Sequence, residues 1–477
     1  MKPVANAQSI REAEQAWFAA HPGGDLMGLA ADAVAEAAAR MLSGRASLGV
    51  LVVAGPGNNA GDALFAAAEL PDLIGSMVPL WVWPVADATH PDGLAAALAA
   101  GAVVVDTAGA LTMAPGVGLV VDGVSGLGGR PGLTGALASV AAAALDGGVP
   151  VLAVDIPSGL VADSVVAHDS FVADETVTFV AHKLAQVATP ASGHCGQVTL
   201  VDIGVRPPEG AVWLVEDADL TRWYPWPHGA SDKYSRGVVG LDTGSPAYPG
   251  AALLGTSGAL HAGAGMVRFA GPARDAVLAA FPSVVAPVDP AVPGRVQAWV
   301  CGSGWPEPDS GRLARRVADG VPLVLDAGAL PSLRDADALP QLPPGCLLTP
   351  HAGELAQALG VERSAVESDP VSFARRAAER AGACVLLKGG THYSASTDGT
   401  VLVVRPGPAW TATAGSGDVL AGMAGAFLAA GVDAQRAGAL AAALQARAAS
   451  ALPGPRTPDE LARDSLPTVI AGLAASG

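Results

Sequence analysis

Positive charge is scarce in this chain. Lysine occurs four times in 477 residues, and 27 lysines and arginines face 44 acidic residues, giving a formal net charge of −17 and a pI near 4.8. Nucleic acid and anionic membrane both demand a basic footprint, so neither is an expected partner. A phosphorylated ligand must instead be held locally, by backbone N–H groups and a few placed cations. Cysteine is equally rare. Cys195, Cys301, Cys346 and Cys384 are scattered without CxxC spacing, which argues against a zinc site or a disulfide framework and suits a reducing cytoplasm. The opening MKPVANAQSIREAEQAW has no apolar h-region, so no secretory signal is expected. Apolar windows such as AAALAAGAVVVDTAGAL are rich in alanine and glycine and broken by Asp106, and none reads as a membrane span.

What is present is apolar content for two cores: 51% of the residues are hydrophobic, in a chain too long for one ordinary domain. Runs apolar at every position (LGVLVVAG, PLWVWPV, GLVVDGV, PVLAVDIPS, QVTLVDIGV) alternate with alanine-rich helical stretches. Such runs suit strands buried on both faces, and the intervening helices make them parallel, so the fold class is α/β with doubly wound sheets. The pattern lapses in PPEGAVWLVEDADLTRWYPWPHGASD and resumes with RGVVGLDTG. The expected organisation is a first domain over 1–210, a linker over 211–231 and a second domain over 232–477. A single extended alanine-rich helix is expected over about 10–42, where it could dock on a neighbouring copy, and a homo-oligomer is expected.

Three strand ends of the first half carry chemistry. VVAGPGNNAGDALFAAAEL places a glycine-rich loop between a strand and a helix, the setting in which an anion meets a helix N-terminus. Its G-x-G-x-x-x-G spacing departs from that of the nicotinamide dehydrogenases. Asn58 and Asn59 either fill a left-handed turn or serve a ligand. GLVVDGVSGLGGRPG puts Asp122 at a strand's carboxyl end, and PVLAVDIPSGL does the same with Asp155 and Ser158. Ligands of open α/β sheets bind beyond such ends. Asn and Ser oxygens with one carboxylate suit a monovalent or hard cation, and the second carboxylate is available for acid/base work. The competing reading makes both aspartates plain helix caps.

In the second half, TATAGSGDVLAGMAGAFLAAG puts Asp418 at the start of an apolar helix behind Gly415 and Gly417. That placement suits an anion hole beside a carboxylate that takes a hydroxyl proton, against the plainer reading of a capping aspartate. CVLLKGGTHYSAS places Lys388 at a strand end, and LLTPHAGELAQAL places Pro350, His351 and Glu354 at another. DKYSRG, YPGA and HAGAGMV add Lys233, Pro249, Gly250 and Ala251, so three of the four lysines lie inside motifs.

GNNAGDALFAAAEL, VVDGVSGLGGRPG and VLAVDIPSGL together resemble the epimerase half of the bacterial bifunctional NAD(P)H-hydrate repair enzymes. The resemblance implies a Rossmann-like three-layer domain in which Asn58, Asn59, Ala60, Gly61 and Asp62, with Gly126, Leu127, Gly128, Gly129, Arg130, Pro131 and Gly132, contact a hydrated nicotinamide nucleotide. It further implies that Asn59, Asp122 and Ser158 ligate a potassium ion, that Asp155 faces the reacting ring, and that Lys183 lies near the substrate. The family loop usually reads GNNGGDG; Ala60 and Ala63 replace glycines, and a left-handed backbone at 60 would be strained by the Cβ. KYSRG, YPGA, GAGMV, TPHAGEL, LKGG and AGSGDVLAG, in that order, resemble the ribokinase-like, ADP-dependent dehydratase half of the same family. By that resemblance Ala251, Gly304, His351 and Asp418 contact the hydrated nucleotide, with Asp418 catalytic, while Lys388, Gly389, Gly390, Thr391, His392 and Gly417 hold the adenine nucleotide. Hydrated NADH and NADPH would be substrates and ADP the co-substrate, while Mg2+ is expected as a cofactor from phosphoryl-transfer chemistry and not from a visible ligand set.

Two rivals stand beside this reading. A ribokinase-like domain could be an ordinary vitamin or sugar kinase, since a fold does not fix a substrate. The first domain could be a nucleotide-sensing module without catalysis, a reading to which Ala60 and Ala63 lend weight.

Overall fold

The computed structural model describes residues 1–75, 77–86, 89–333 and 341–475. The chain divides into two compact units, Lys2–Gly210 and Ala211–Gly477.

The first unit is built on a parallel sheet with strand order Val103–Val104, Leu80–Pro84, Val50–Ala54, Leu119–Gly123, Val151–Val154, Glu175–Phe179, Gln197–Val201. The central strand VLVVA is buried throughout, as a run without polar alternation requires. Val50, Val52 and Ala54 pack with helices Leu26–Met41 and Asn58–Ile74 on one face, and Leu51 and Val53 pack with helices Thr107–Met113 and Gly135–Asp146 on the other. Strand order reverses between Val50–Ala54 and Leu119–Gly123, the position at which open α/β sheets bind ligands.

The helix expected over 10–42 is two helices, Ala7–Ala20 and Leu26–Met41. His21-Pro22-Gly23-Gly24 breaks it, with Gly23 left-handed at φ 82°, and Asp25 caps the second helix by accepting from the Gly28 N–H at 2.8 Å. Ala30, Ala31, Val34 and Ala35 of that second helix lie in the unit's own core.

The second unit carries strands in the order Met266–Phe269, Val238–Asp242, Ala298–Cys301, Leu323–Leu325, Leu347–Leu348, Cys384–Leu387, His392–Ala395, Val401–Val404, Val212–Leu214. The first six run parallel, and Cys384–Leu387, His392–Ala395 and Val401–Val404 pair antiparallel. Its reversal point lies between Val238–Asp242 and Ala298–Cys301. Helices Pro249–His261 and Ser416–Ala429 cross closely because a Cβ at Gly258 would lie 2.3 Å from the Val419 carbonyl and one at Gly422 would lie 2.0 Å from that of Gly255.

The segment expected as a linker belongs to this unit. Val212–Leu214 pairs with Val401–Val404, and helix Asp217–Trp223 puts Leu220 and Trp223 into the same core as the helix bearing Asp418. A three-residue strand and a two-turn helix are too short to show periodicity among prolines and tryptophans. The irregular parts of the connection are about 202–211 and 224–237.

Candidate functional site

At the reversal point of the first sheet lies a cavity of about 560 Å³. The asparagine motif reaches it as the first turn of helix Asn58–Ile74, not as a loop. Asn58, Asn59 and Asp62 line the cavity, whereas Ala60 and Gly61 are buried toward the core. Ala60 is helical with no positive φ, so the strain expected from its Cβ does not arise. Ala63 also fits, because the residue opposite it is Gly123.

Asp155 closes strand Val151–Val154 in a left-handed conformation, φ 66°, that an aspartate tolerates better than most side chains. Its Oδ1 accepts from Lys183 Nζ at 2.5 Å and from Thr178 Oγ1 at 3.0 Å, and its carbonyl accepts from Gln186 Nε2 at 2.6 Å. Lys183 spends its other ammonium protons on Thr178 Oγ1 at 2.7 Å and the Phe179 carbonyl at 3.0 Å. Lys183 therefore lines the cavity as Asp155's partner and keeps no proton for a ligand. Asp155 Oδ2 has no hydrogen bond among the described residues. It points to the space above Gly126, where a Cβ would lie 2.7 Å from it and 2.9 Å from Asn59 Oδ1.

Asp122 is fully buried at the end of strand Leu119–Gly123 and is not a helix cap. Its oxygens accept from Ser158 Oγ at 2.6 Å, Ser158 N–H at 2.7 Å and Val124 N–H at 3.2 Å. Burial pushes this carboxyl up to about 6, partly offset by the bonds from Ser158 and Val124. No described cation pairs with it. The asparagine beside it keeps a buried amide nitrogen, Asn59 Nδ2, with no partner among the described residues. Asp62 is pushed up further, to about 8, by burial and by the carboxylates of Asp155, Glu14 and Asp25. From the glycine loop, Gly126, Leu127 and Gly128 line the cavity, while Arg130 and Pro131 are exposed and Gly129 and Gly132 only shape the turn.

The second constellation also assembles at a reversal point. Gly415, left-handed at φ 91°, is the N-cap of helix Ser416–Ala429, so Asp418 is the third helical residue and not the cap. Burial raises the Asp418 carboxyl to about 6, aided by the neighbouring Asp326, while Lys388 and the nearby Ser303 hydroxyl pull the other way. Lys388 Nζ sits 2.6 Å from Asp326 Oδ1 and 3.4 Å from where a Gly417 Cβ would be. Burial weakens the ammonium, but Asp326, Glu354 and Asp418 outweigh it and hold Lys388 firmly charged. Gly304 is left-handed at φ 72°, and a Cβ there would lie 2.6 Å from Ala251 Cβ, which presses the two expected contact residues together. Thr391 is buried, Gly389 and Gly390 are exposed, and burial with the charge of Lys388 lowers His392 to about 4, leaving it neutral. His351 is the N-cap of helix Ala352–Leu359: its Nδ1 accepts from the Glu354 N–H at 3.1 Å, and Glu354 accepts from the His351 N–H at 2.8 Å. Its imidazole is exposed beside the strand end of Lys388. Lys233 lies in an exposed turn, its carbonyl packed against Gly265.

Several residues of these sites carry no motif of their own. Asp326, in PLVLDAGAL, accepts from Ser303 Oγ at 2.8 Å and Thr349 Oγ1 at 2.8 Å in addition to Lys388. The signal was a strand-end aspartate of the same kind as Asp122 and Asp155. Arg11 and Glu14 enter the first cavity from helix Ala7–Ala20, and nothing local in their sequence marks them. Asp242 is held by Arg312 Nε at 2.6 Å and Arg316 Nε at 2.7 Å, each guanidinium stacked on a tryptophan, Trp305 and Trp299. That cluster braces the strand end next to Gly304.

Residues 239–469 match the family described as NAD(P)H-hydrate dehydratase, and residues 23–185 match the one described as YjeF-related protein N-terminus. The chain is 40% identical over 450 residues to the bifunctional NAD(P)H-hydrate repair enzyme Nnr of Mycobacterium tuberculosis, covering 92% of each chain. It is 36% identical over 235 residues to the ADP-dependent (S)-NAD(P)H-hydrate dehydratase of Neisseria meningitidis, over 46% of this chain and 79% of that one. Among solved structures, the ADP/ATP-dependent NAD(P)H-hydrate dehydratase of Bacillus subtilis, co-crystallised with ATP/Mg2+, superposes with a TM-score of 0.51 at 24% identity, over 56% of this chain and all of that one.

Proposed function

The chain belongs to the bifunctional NAD(P)H-hydrate repair enzymes, and on that premise we propose how its two sites divide the work and which residues do it. It is an epimerase fused to a ribokinase-like, ADP-dependent dehydratase, and it restores NAD(P)H from both epimers of the C6-hydrated cofactor. The observation that carries the division is that each unit presents its own raised or anchored carboxylate at its own sheet's reversal point.

In the first site, Asp155 moves the proton as the hydrated ring opens and recloses. Oδ1 is fixed by Lys183 and Thr178, so the exchanging oxygen is Oδ2, which faces Gly126 and Asn59. Asn58, Asn59, Asp62 and Gly126–Gly128 line the nucleotide's path. In the second site, Asp418 takes the proton of the C6 hydroxyl while that oxygen attacks the terminal phosphorus of ADP, releasing AMP. The ring nitrogen then expels phosphate from C6, and the iminium so formed loses its C5 proton, which restores the C5–C6 double bond of NAD(P)H. Lys388 stays charged through Asp326 and steadies the nucleotide phosphates, and Ala251 and Gly304 form the floor under the substrate.

A potassium ion fits the oxygen donors of Asn59, Asp122 and Ser158, because Asp122 is a buried carboxylate with neutral donors only and no cation of its own. When bound, the ion would supply that missing charge. For magnesium the fit differs: among the described residues no three His, Cys, Asp or Glu side chains converge on a metal site. The nucleotide's own phosphates would carry that ion, and no step here runs through it. A cytoplasmic setting accords with four unpaired cysteines, three of them buried. No described helix is long and apolar enough to cross a membrane.

The deciding experiment gives the purified protein a mixture of both NADH-hydrate epimers with ADP and magnesium and follows NADH absorbance to its endpoint. Full recovery is expected. Recovery of one epimer only would remove the epimerase assignment, and a stable phosphorylated product would favour the kinase reading.

A further inference from the structure

We infer that Arg11, on helix Ala7–Ala20, is a specificity-determining residue of the first site and binds the diphosphate bridge of the dinucleotide substrate. The inference rests on the epimerase reading of that cavity.

A dinucleotide brings at least two negative charges into a cavity already lined by Glu14, Asp62 and Asp155. Two cationic side chains line the same cavity, Arg11 and Lys183. Lys183 is 1% exposed, and its three ammonium protons go to Asp155, Thr178 and Phe179. The charge it carries is already matched to Asp155. Arg11 differs in exposure and in its donors, and the carboxylate it lies near, Glu14, forms no ion pair with it among the described residues. Arg11 is exposed at the cavity wall, and among the described residues its guanidinium makes one hydrogen bond, from Nη2 to the Leu127 carbonyl at 2.8 Å. A guanidinium has five N–H donors, so most of its fork remains for an acceptor.

Its position selects the acceptor. Nη2 lies 3.9 Å from where a Cβ of Gly128 would be, so the guanidinium rests on the glycine loop Gly126–Gly128. That loop borders the space reached by Asp155 Oδ2 and Asn59 at Gly126. Backbone without side chains, next to a planar fork of donors, suits a diphosphate that must pass close to the chain. The loop is fixed to the helix through the Leu127 carbonyl. Arg11 thereby joins a segment outside the sheet to the ligand-bearing strand ends.

The test uses the full chain without ADP, with epimer interconversion followed chromatographically for NADH hydrate and NADPH hydrate. Arg11→Gln is expected to raise KM for both substrates about 10-fold, the size of a lost charge-assisted contact, with kcat changed by less than about twofold. Inorganic pyrophosphate is expected to inhibit the parent competitively and the variant about 10-fold more weakly, and Arg11→Lys is expected to recover part of the loss. A folded Arg11→Gln with unchanged KM overturns the inference. A fall in kcat alone would do so too, because it would mark a merely structural tie to Leu127. A KM rise confined to NADPH hydrate would assign Arg11 to the ribose phosphate and also overturn it. Failure of the epimerase reading is separate: the parent protein itself would then leave the epimers unchanged.

Discussion

Asp155 and Asp418 are the acid/base groups of the two sites. Asp155→Asn keeps the shape of the carboxyl but not its basicity, so epimerisation is expected to fall by about 10²–10⁴-fold, the usual worth of a positioned acid/base group. Dehydration of the S epimer by the same protein should be unaffected, which makes it an internal control for folding. Asp418 acts deprotonated and titrates at about 6 because burial and Asp326 raise it. Dehydratase kcat/KM is therefore expected to be flat above pH about 6 and to fall about tenfold per unit below it, a dependence that Asp418→Asn removes along with about 10²–10⁴-fold of the rate. Near-normal dehydration in folded Asp418→Asn would end the base assignment. Ala60 reverses its first impression. Being helical and fully buried, it gains nothing from the family's glycine, so Ala60→Gly should cost about 0.5–1 kcal/mol in a denaturant melt and leave epimerase kcat unchanged.

At the scale of elements, the strand ends were legible and their neighbours were not. Asp122, Asp155, Ser158 and Lys388 could be named because each follows an apolar run and precedes glycine or helix, and Asp418 because it stands behind glycines at the start of an apolar helix, patterns that local sequence displays. The partners that tune them come from elsewhere in the chain. Thr178 and Gln186 meet Asp155 from 23 and 31 residues away, and Asp326 meets Lys388 from 62. Such pairings depend on strand order, which no window reveals. Short elements escaped for another reason: Val212–Leu214 is held in register by Val401–Val404, not by its own pattern. The glycine loop gives a test at this scale. Gly126→Ala would place a methyl 2.7 Å from Asp155 Oδ2, so epimerase activity should drop about 10²-fold while dehydration persists. The buried strand end of Asp122 gives another. Potassium chloride should raise the melting midpoint of the protein above that in choline chloride at equal ionic strength, and Asp122→Asn should abolish the difference. Equal midpoints in the parent protein would exclude the cation from this site.

For the whole molecule, the two units each have their own sheet and core, and the chain passes between them at Gly210 and Ala211. Fragments 2–210 and 211–477 are expected to fold separately, each with its own half of the activity. A fragment starting at 232 would lose Val215, Leu220 and Trp223 from its core and should show no cooperative melt. If that shorter fragment melts like the longer one, the segment 211–231 is a linker after all.

The scarcity of lysine has a practical side. Lys183 and Lys388 are sealed into ion pairs with Asp155 and Asp326, whereas Lys2 and Lys233 are exposed. Amine-directed coupling chemistry would therefore find few handles. A resin or fluorophore attached through them should leave both active sites chemically untouched, so that an immobilised preparation can be made from the unaltered chain.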